Sequence, residues 1–401
     1  MPVDPTGPVP ARERVRLSVD VSAVPANPVG AGRYTLELVS ALTIRPDVDL
    51  QLWSRRDDRR RWRDLAPSAR VVGAAPSPRP ARLAWEQVGL PLRLARSGID
   101  VHHGPHYTMP EHTSVPVVVT VHDLSFFEAP QWHERSKVVL FRRAIAVAAR
   151  RAAVIVCPSQ VTADDLARWC RIDGEIIVAH HGVDAARFTP IEPVPGGDAG
   201  LLGRLEPGLV GPDGSLHRFV VFVGTLEPRK DVPNLVRAFD KVASRHPDVR
   251  LVLAGGDGWG AEAVRAAVAA VSSGSRVLRI GYVPDAAVPA LLRSAAVVAY
   301  PALYEGFGLP ALEALACGAP LVTTSGTAME EVAGPAAVLV PPEDTLALAD
   351  ALDELLEAEK GEDGRIGGIA DRRRRGFEIA ARHTWAASAE RHLLAYRAAA
   401  G

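Results

Sequence analysis

Cysteine is scarce in this chain. The 401 residues hold three, Cys157, Cys170 and Cys317, far apart and with no C-x-x-C pair. An odd, scattered set excludes a disulfide framework and a zinc ribbon, and fits a reducing compartment. Cys157 in an apolar run and Cys317 in a helical stretch read as buried structural thiols. An excess of charge is missing as well: 46 Lys and Arg against 47 Asp and Glu leave a net charge of -1. The whole-protein field therefore favours neither nucleic acid nor an anionic membrane, and any basic site must be local. No apolar run reaches the ~18 residues of a spanning helix. The Pro-rich opening MPVDPTGPVPARERVR lacks an apolar signal core, so residues 1–14 are expected to be a disordered tail and the protein cytoplasmic. Neither half carries a G-x-G-x-x-G with an acidic residue ~20 positions on, which sets a dehydrogenase aside.

What is present is an alternation. Short β-branched runs interleave with Ala/Leu/Arg helical patterns: 15–22, 48–54, 115–123, 152–159 and 175–184 in the first half, then 218–225, 250–256, 277–283, 295–301, 319–324 and 336–342. Runs apolar on both faces are parallel strands covered by helices. The order repeats twice, which predicts an α/β protein of two doubly wound, Rossmann-like domains facing each other across a cleft. The expected boundaries are 15–190, a Pro/Gly-rich linker at 191–217, 218–380, and a closing helix in 381–401 that packs back toward the first domain. Trp385, Leu393, Leu394 and Tyr396 are that helix's expected apolar anchors. Ligands of open α/β sheets bind beyond the carboxyl ends of the strands, so the chemistry is sought there.

The strongest constellation is YEGFGLPALEALACG at 304–318. Gly306 and Gly308 permit a tight loop, Pro310 suits a first helical turn, and the amides around Phe307, Gly308 and Leu309 then point outward at a helix N-terminus, a ready site for phosphate. Glu305 and Glu313 flank it. Taken alone, they also read as a loop charge and a helix-dipole partner. The second constellation, GTLEPRKD at 224–231, places Arg229 and Lys230 at a strand-to-helix turn, where a fork and a point charge suit a diphosphate; a solvated basic turn is the alternative.

The E-x7-E spacing of Glu305 and Glu313 resembles the signature of the family-4 retaining glycosyltransferases, which have the GT-B fold. The resemblance spans about residues 15–399. It implies that Glu305 contacts the donor sugar's hydroxyls, that the Phe307–Gly308–Leu309 amides hold the donor's phosphate, and that Glu313 binds its ribose. The family's G-R-L-x-x-x-K-G turn is altered here: Thr225 stands at the first Arg position and Asp231 at the last Gly, while Lys230 keeps the Lys and Arg229 supplies a neighbouring cation. G-T-L-E-P-R-K resembles a branch rich in mannosyltransferases, which implies GDP-mannose as donor. Tyr282 and Val283, in the loop after a strand, match positions that touch the nucleobase. Gly30 and Gly32 match a Gly pair that approaches the donor phosphates, and Arg33 follows them. His122, at the end of VPVVVTVHD, reads on its own first as a core-capping residue paired with Asp123; the resemblance reverses that, matching it to a His beside the reacting carbon.

His102, His103 and His106 cluster within DVHHGPHYTMP and are expected to be loop histidines, with His103, His106 and Arg33 lining an acceptor pocket. Asp47-Val48-Asp49 resembles the D-x-D of metal-dependent enzymes but reads as a turn, so no metal and no cofactor are expected beyond the nucleotide-sugar co-substrate. An arginine stripe, Arg142, Arg143, Arg150 and Arg151, reads as a solvated face, with contact to anionic lipid at the inner membrane face as the alternative. The function implied is hexosyl transfer to a carbohydrate, lipid-linked or small-molecule hydroxyl acceptor, with no nucleic-acid partner. A UDP-sugar-dependent hexosyltransferase and a non-catalytic nucleotide-sugar-binding module are the alternatives.

Overall fold

The computed structural model describes residues 14–191, 196–360 and 368–401; all but the last residue of the expected tail lies outside the described residues. The chain forms two compact units, Met1–His181 with Trp385–Gly401, and Gly182–Thr384.

The first unit is built on strands β1 (Val15–Asp20), β2 (Val48–Arg55), β3 (Arg70–Ala75), β4 (Val101–Gly104), β5 (Val117–Thr120), β6 (Val154–Cys157) and β7 (Glu175–Val178). They form one sheet in the order β3-β2-β1-β4-β5-β6-β7, parallel throughout. Every residue of β5 and β6 is buried, the mark of strands covered on both faces. The strand order reverses between β1 and β4, so the binding crevice of this sheet lies beyond their carboxyl ends. Two of these strands, β3 and β4, are absent from the expected set. RVVGAA in β3 is interrupted by glycine, and VHHG in β4 is half histidine. Polar partners make β4 tolerable inside: His102 Nδ1 lies 2.7 Å from the Ser18 hydroxyl on β1.

The second unit contains β8 (Phe219–Val223), β9 (Arg250–Ala254), β10 (Val277–Gly281), β11 (Val297–Tyr300), β12 (Leu321–Thr324) and β13 (Val338–Val340), ordered β10-β9-β8-β11-β12-β13 and parallel. Its switch point falls between β8 and β11. The helix Val232–Ala243 covers the sheet with Leu235, Val236, Phe239 and Val242, all fully buried; each such side chain contributes about 1.5–3 kcal/mol by leaving water.

Residues 191–217 differ from the expected linker. They include a helix at Gly197–Leu205 and a 3-10 turn at Pro207–Leu209, and Leu202 and Leu209 are buried in the second unit's core. Arg293, 8% exposed, fixes the helix through Asp198 at 2.8 Å. The boundary falls at His181/Gly182, earlier than residue 190. The helix Trp385–Ala400 belongs to the first unit and buries Trp385, Leu393 and Tyr396, while Leu394 is 47% exposed and anchors nothing.

Candidate active site

In the second unit the two polar turns of the sequence meet beyond the carboxyl ends of β8 and β11. After β8, Thr225 is half-buried, and the 3-10 turn Pro228–Lys230 delivers Arg229 and Lys230. After β11, the loop to the helix Leu309–Ala316 carries Glu305. A backbone bond from the Leu303 amide to the Arg229 carbonyl, 2.7 Å, ties the two turns together. Their side chains converge on one carboxylate oxygen. Glu305 Oε1 is 2.6 Å from Arg229 Nη1, is ion-paired with the buried Lys230 ammonium, and accepts from the Tyr300 hydroxyl at 2.9 Å. Lys230 also donates to the Tyr300 hydroxyl, and its Nζ sits 4.6 Å from the centre of that ring. Glu227 completes the cluster, accepting from Arg229 Nε at 2.8 Å.

Tyr300 is the residue that sequence reasoning missed. It ends AAVVAYP, reads as one more apolar strand position, and is buried against Phe222 with ring centres 5.7 Å apart. Its hydroxyl at a strand end was the available signal. Burial pushes its pKa up, against the pull of Arg229, so it remains a donor to Glu305.

Gly308 caps the helix Leu309–Ala316 with φ 92°, and a Cβ there would meet Met329 Cγ at 2.6 Å. Only glycine fits the turn that frees the first helical amides. Phe307 is buried, and Leu309 and Glu313 are half-buried, with Glu313 in the same helix. Asp231, in the position expected for glycine, adopts a left-handed φ of 50°, and burial raises its carboxyl pKa to about 6.

In the first unit His122 lies just past β5. Its Nε2 is 2.7 Å from the Pro105 carbonyl. A carbonyl only accepts, so Nε2 carries the proton, and burial holds the ring's pKa down to about 4. The neutral ring therefore offers Nδ1 as an acceptor. Asp123 accepts from the Ser125 amide at 2.9 Å and from Tyr107 at 3.0 Å.

Behind His122 runs a buried hydrogen-bond chain whose direction is fixed at one end. His392 Nδ1 faces the Ser388 carbonyl at 2.7 Å and so donates. Its Nε2 must accept from Tyr34, 2.7 Å away. Tyr34 has one proton, so its oxygen accepts from Thr120 at 2.8 Å; Thr120 accepts from His103 Nε2 at 2.8 Å; and His103 Nδ1 accepts from Tyr396 at 2.9 Å. Burial keeps His103 and His392 neutral, as this scheme requires. The chain starts and ends on the helix Trp385–Ala400. It corrects the reading of His103 as a loop histidine open to an acceptor: it is a fully buried residue of β4 with both ring nitrogens engaged.

Two family models match the chain: Glycosyltransferase Family 4 over residues 28–187 and Glycosyl transferases group 1 over residues 215–368. Among curated relatives, the Escherichia coli O-antigen chain mannosyltransferase B is 28% identical over 343 residues, 80% of this chain and 85% of that protein. The chain is a glycosyltransferase with the GT-B fold. A D-inositol 3-phosphate glycosyltransferase from Salinispora tropica is 32% identical to this glycosyltransferase over 290 residues, 67% of this chain but 57% of that protein. Among solved structures, sucrose-phosphate synthase from Thermosynechococcus elongatus superimposes with a TM-score of 0.74 at 21% identity, covering 96% of this chain and 98% of that one. Anabaena HepE in complex with UDP-glucose gives 0.69 at 16%, covering 95% and 99%.

Of the remaining expected site residues of the glycosyltransferase, Gly30, Gly32, Arg33 and His106 belong to the first unit and Tyr282 and Val283 to the second. Gly30 caps the helix Ala31–Thr43 and Gly32 lies in its first turn. Arg33 is 3.9 Å from Glu37. His106 is half-buried and packs edge-on to Tyr107, 5.0 Å between ring centres. Tyr282 is exposed, whereas Val283 is buried in the second unit's core. Asp47 pairs with Arg45 and Arg397, each at 3.0 Å. In the arginine stripe Arg143, Arg150 and Arg151 are exposed, while Arg142 donates to the Phe126 carbonyl at 2.7 Å and Arg143 to Glu111 at 2.9 Å. No helix among the described residues is long and apolar enough to cross a membrane.

Proposed function

We propose that this glycosyltransferase is a retaining, metal-independent hexosyltransferase that moves mannose from GDP-mannose to a hydroxyl acceptor. The observation that carries the reading is the convergence of Arg229, Lys230 and Glu305 beside the open N-terminus that follows Gly308. Two cations and a row of amides suit a diphosphate, and a carboxylate beside them suits the hydroxyls of its sugar. The mannosyl assignment is supported by the G-T-L-E-P-R-K turn and by the name of the E. coli relative.

In this scheme the C1–oxygen bond to the diphosphate breaks as the acceptor oxygen bonds to C1 from the same face. The acceptor's proton passes to the departing diphosphate, giving a nucleoside diphosphate and a glycosylated acceptor. Lys230, Arg229 and the helix amides offset the charge that develops on the leaving group, so protein groups supply the stabilisation a metal provides elsewhere. Glu305 orients the sugar, and we assign His122 Nδ1 to accept from one of its hydroxyls. Glu313 is assigned to the ribose.

The test is thermal stabilisation by GDP-mannose, UDP-glucose and UDP-N-acetylglucosamine in EDTA, for the wild type and Lys230→Ala. A donor at 100 times its dissociation constant stabilises by about 2.7 kcal/mol. A shift with GDP-mannose alone, lost in Lys230→Ala, supports the assignment. A shift with UDP-glucose instead reassigns the donor, and a shift that needs a divalent cation overturns metal independence.

A further inference from the structure

We infer that Glu305 is a built-in competitor of the donor's diphosphate, and that it makes the site select nucleotide sugar over the nucleoside diphosphate left after transfer. The inference rests on the donor assignment above. The two cations assigned to the diphosphate have carboxylate partners within the protein. Glu305 Oε1 is bound to Arg229 and to Lys230, and Glu227 takes the Arg229 Nε, so two cations face two carboxylates. A diphosphate that pairs with Arg229 and Lys230 competes with Glu305 for the same two cations.

The displaced carboxylate cannot remain bare. It is 14% exposed at the side chain, and a charge in so little water needs hydrogen-bond donors. Tyr300 supplies one, at 2.9 Å. The others must come from the ligand. A nucleotide sugar brings hydroxyl donors with its diphosphate; a nucleoside diphosphate brings acceptors and negative charge. The same displacement is thus compensated for the substrate and uncompensated for the product. The Leu303–Arg229 backbone bond holds the two turns in place, so the exchange is one of side-chain partners. The arrangement resists product inhibition, and its charge pattern makes the bare diphosphate, the more anionic ligand, the weaker one.

The experiment is isothermal titration of GDP and UDP, and of GDP-mannose and UDP-glucose, into wild type, Glu305→Gln, Glu305→Ala and Lys230→Ala, with EDTA and without acceptor. Removing the competitor is expected to tighten the nucleoside diphosphate by about tenfold in both Glu305 variants, while the nucleotide sugar gains nothing or weakens. The preference for sugar-bearing ligand then narrows or reverses. Glu305→Ala serves as the second variant if the amide of Glu305→Gln reproduces part of the pairing, and circular dichroism checks that each variant is folded. Equal or weaker binding of the diphosphate by both folded Glu305 variants overturns this inference while leaving the donor site intact. Undiminished diphosphate binding by Lys230→Ala, or no binding of any nucleotide by the wild type, overturns the donor assignment itself and this inference with it.

Discussion

Replacing Tyr34 with Phe removes one oxygen from the middle of the directed chain and leaves its ring in place. The ring is buried on all sides, against His122 at 4.9 Å and His181 at 4.7 Å between centres, so packing is preserved. Two groups lose their partner: the Thr120 hydroxyl, which donated to Tyr34, and His392 Nε2, which accepted from it. Neither can re-pair along the chain, because His103 Nε2 already gives its proton to Thr120 and His392 Nδ1 already donates to Ser388. A buried polar group left unsatisfied costs about 1–3 kcal/mol, so the pair costs roughly 2–6 kcal/mol, a large share of a domain's ~5–15 kcal/mol. For a unit of this size the melting temperature falls by about 2–4 °C per kcal/mol. Because two units can unfold separately, the loss is read from guanidinium transitions followed at first-unit tryptophans such as Trp53, Trp62 and Trp385. The transition of the second unit, and nucleotide binding by it, are expected to stay put. Tyr34→Phe combined with His392→Leu is expected to cost less than the sum of the two single changes. A loss below about 0.5 kcal/mol, or strict additivity, refutes the directed chain.

Acid stability follows from the same histidines. Burial pulls His102 down to about 3, His122 and His392 to about 4, and His103 and His181 well below the ordinary value. The unfolded chain binds these protons near pH ~6.5 and the native unit does not, so first-unit stability is expected to fall as pH drops from there toward 4, by about 1.4 kcal/mol per pH unit for each group. Glu86 opposes this: burial and then Asp20 raise it to about 8, which favours the fold at lower pH, but one carboxyl offsets only one histidine. Denaturant titrations at pH 5 and 7 that show no loss at pH 5 contradict the sign. Asp231→Asn keeps a residue tolerant of the left-handed turn and removes a half-buried charge. It is expected to stabilise the second unit at pH 8 by roughly 1 kcal/mol after allowance for solvent screening, the gain shrinking as pH falls through about 6 and vanishing near the ordinary carboxylate value of about 4; a gain independent of pH excludes the carboxylate as its cause. Gly308→Ala is expected to cost about 2–4 kcal/mol from the forbidden φ and the Met329 overlap. Met329→Ala should restore only part of it, and full recovery in melting experiments would mean that backbone conformation matters little there.

Most of the fold was legible because buried parallel strands announce themselves as apolar runs. The exceptions are instructive. β4 hides behind His102 and His103, whose polarity is matched by Ser18, Thr120 and Tyr396, partners supplied by distant segments. The helix Gly197–Leu205 hides among glycines and prolines, and only its leucines, packed into the second unit's core, mark it. At the site, Arg229, Lys230 and Glu305 could be named from strand-end position and residue type, but not their mutual ion pairing, which depends on two turns separated by seventy-odd residues meeting beyond one switch point. Tyr300 escaped for the opposite reason: an aromatic inside an apolar run looks like core, and its ring is core, while its hydroxyl belongs to the site.

The helix Trp385–Ala400 supplies both ends of the chain through Tyr34 and His103, yet it is translated after all of Gly182–Thr384. While the ribosome is still making the second unit, the first has its sheet but no partner for His103 Nδ1 and no acceptor for Tyr34. The second unit, contiguous in sequence, can close during synthesis; the first must wait, its polar interior wetted. A released chain truncated after Thr384 should therefore present a protease-sensitive first unit beside a completed second one, which makes the helix Trp385–Ala400 the step that commits the enzyme to its native state.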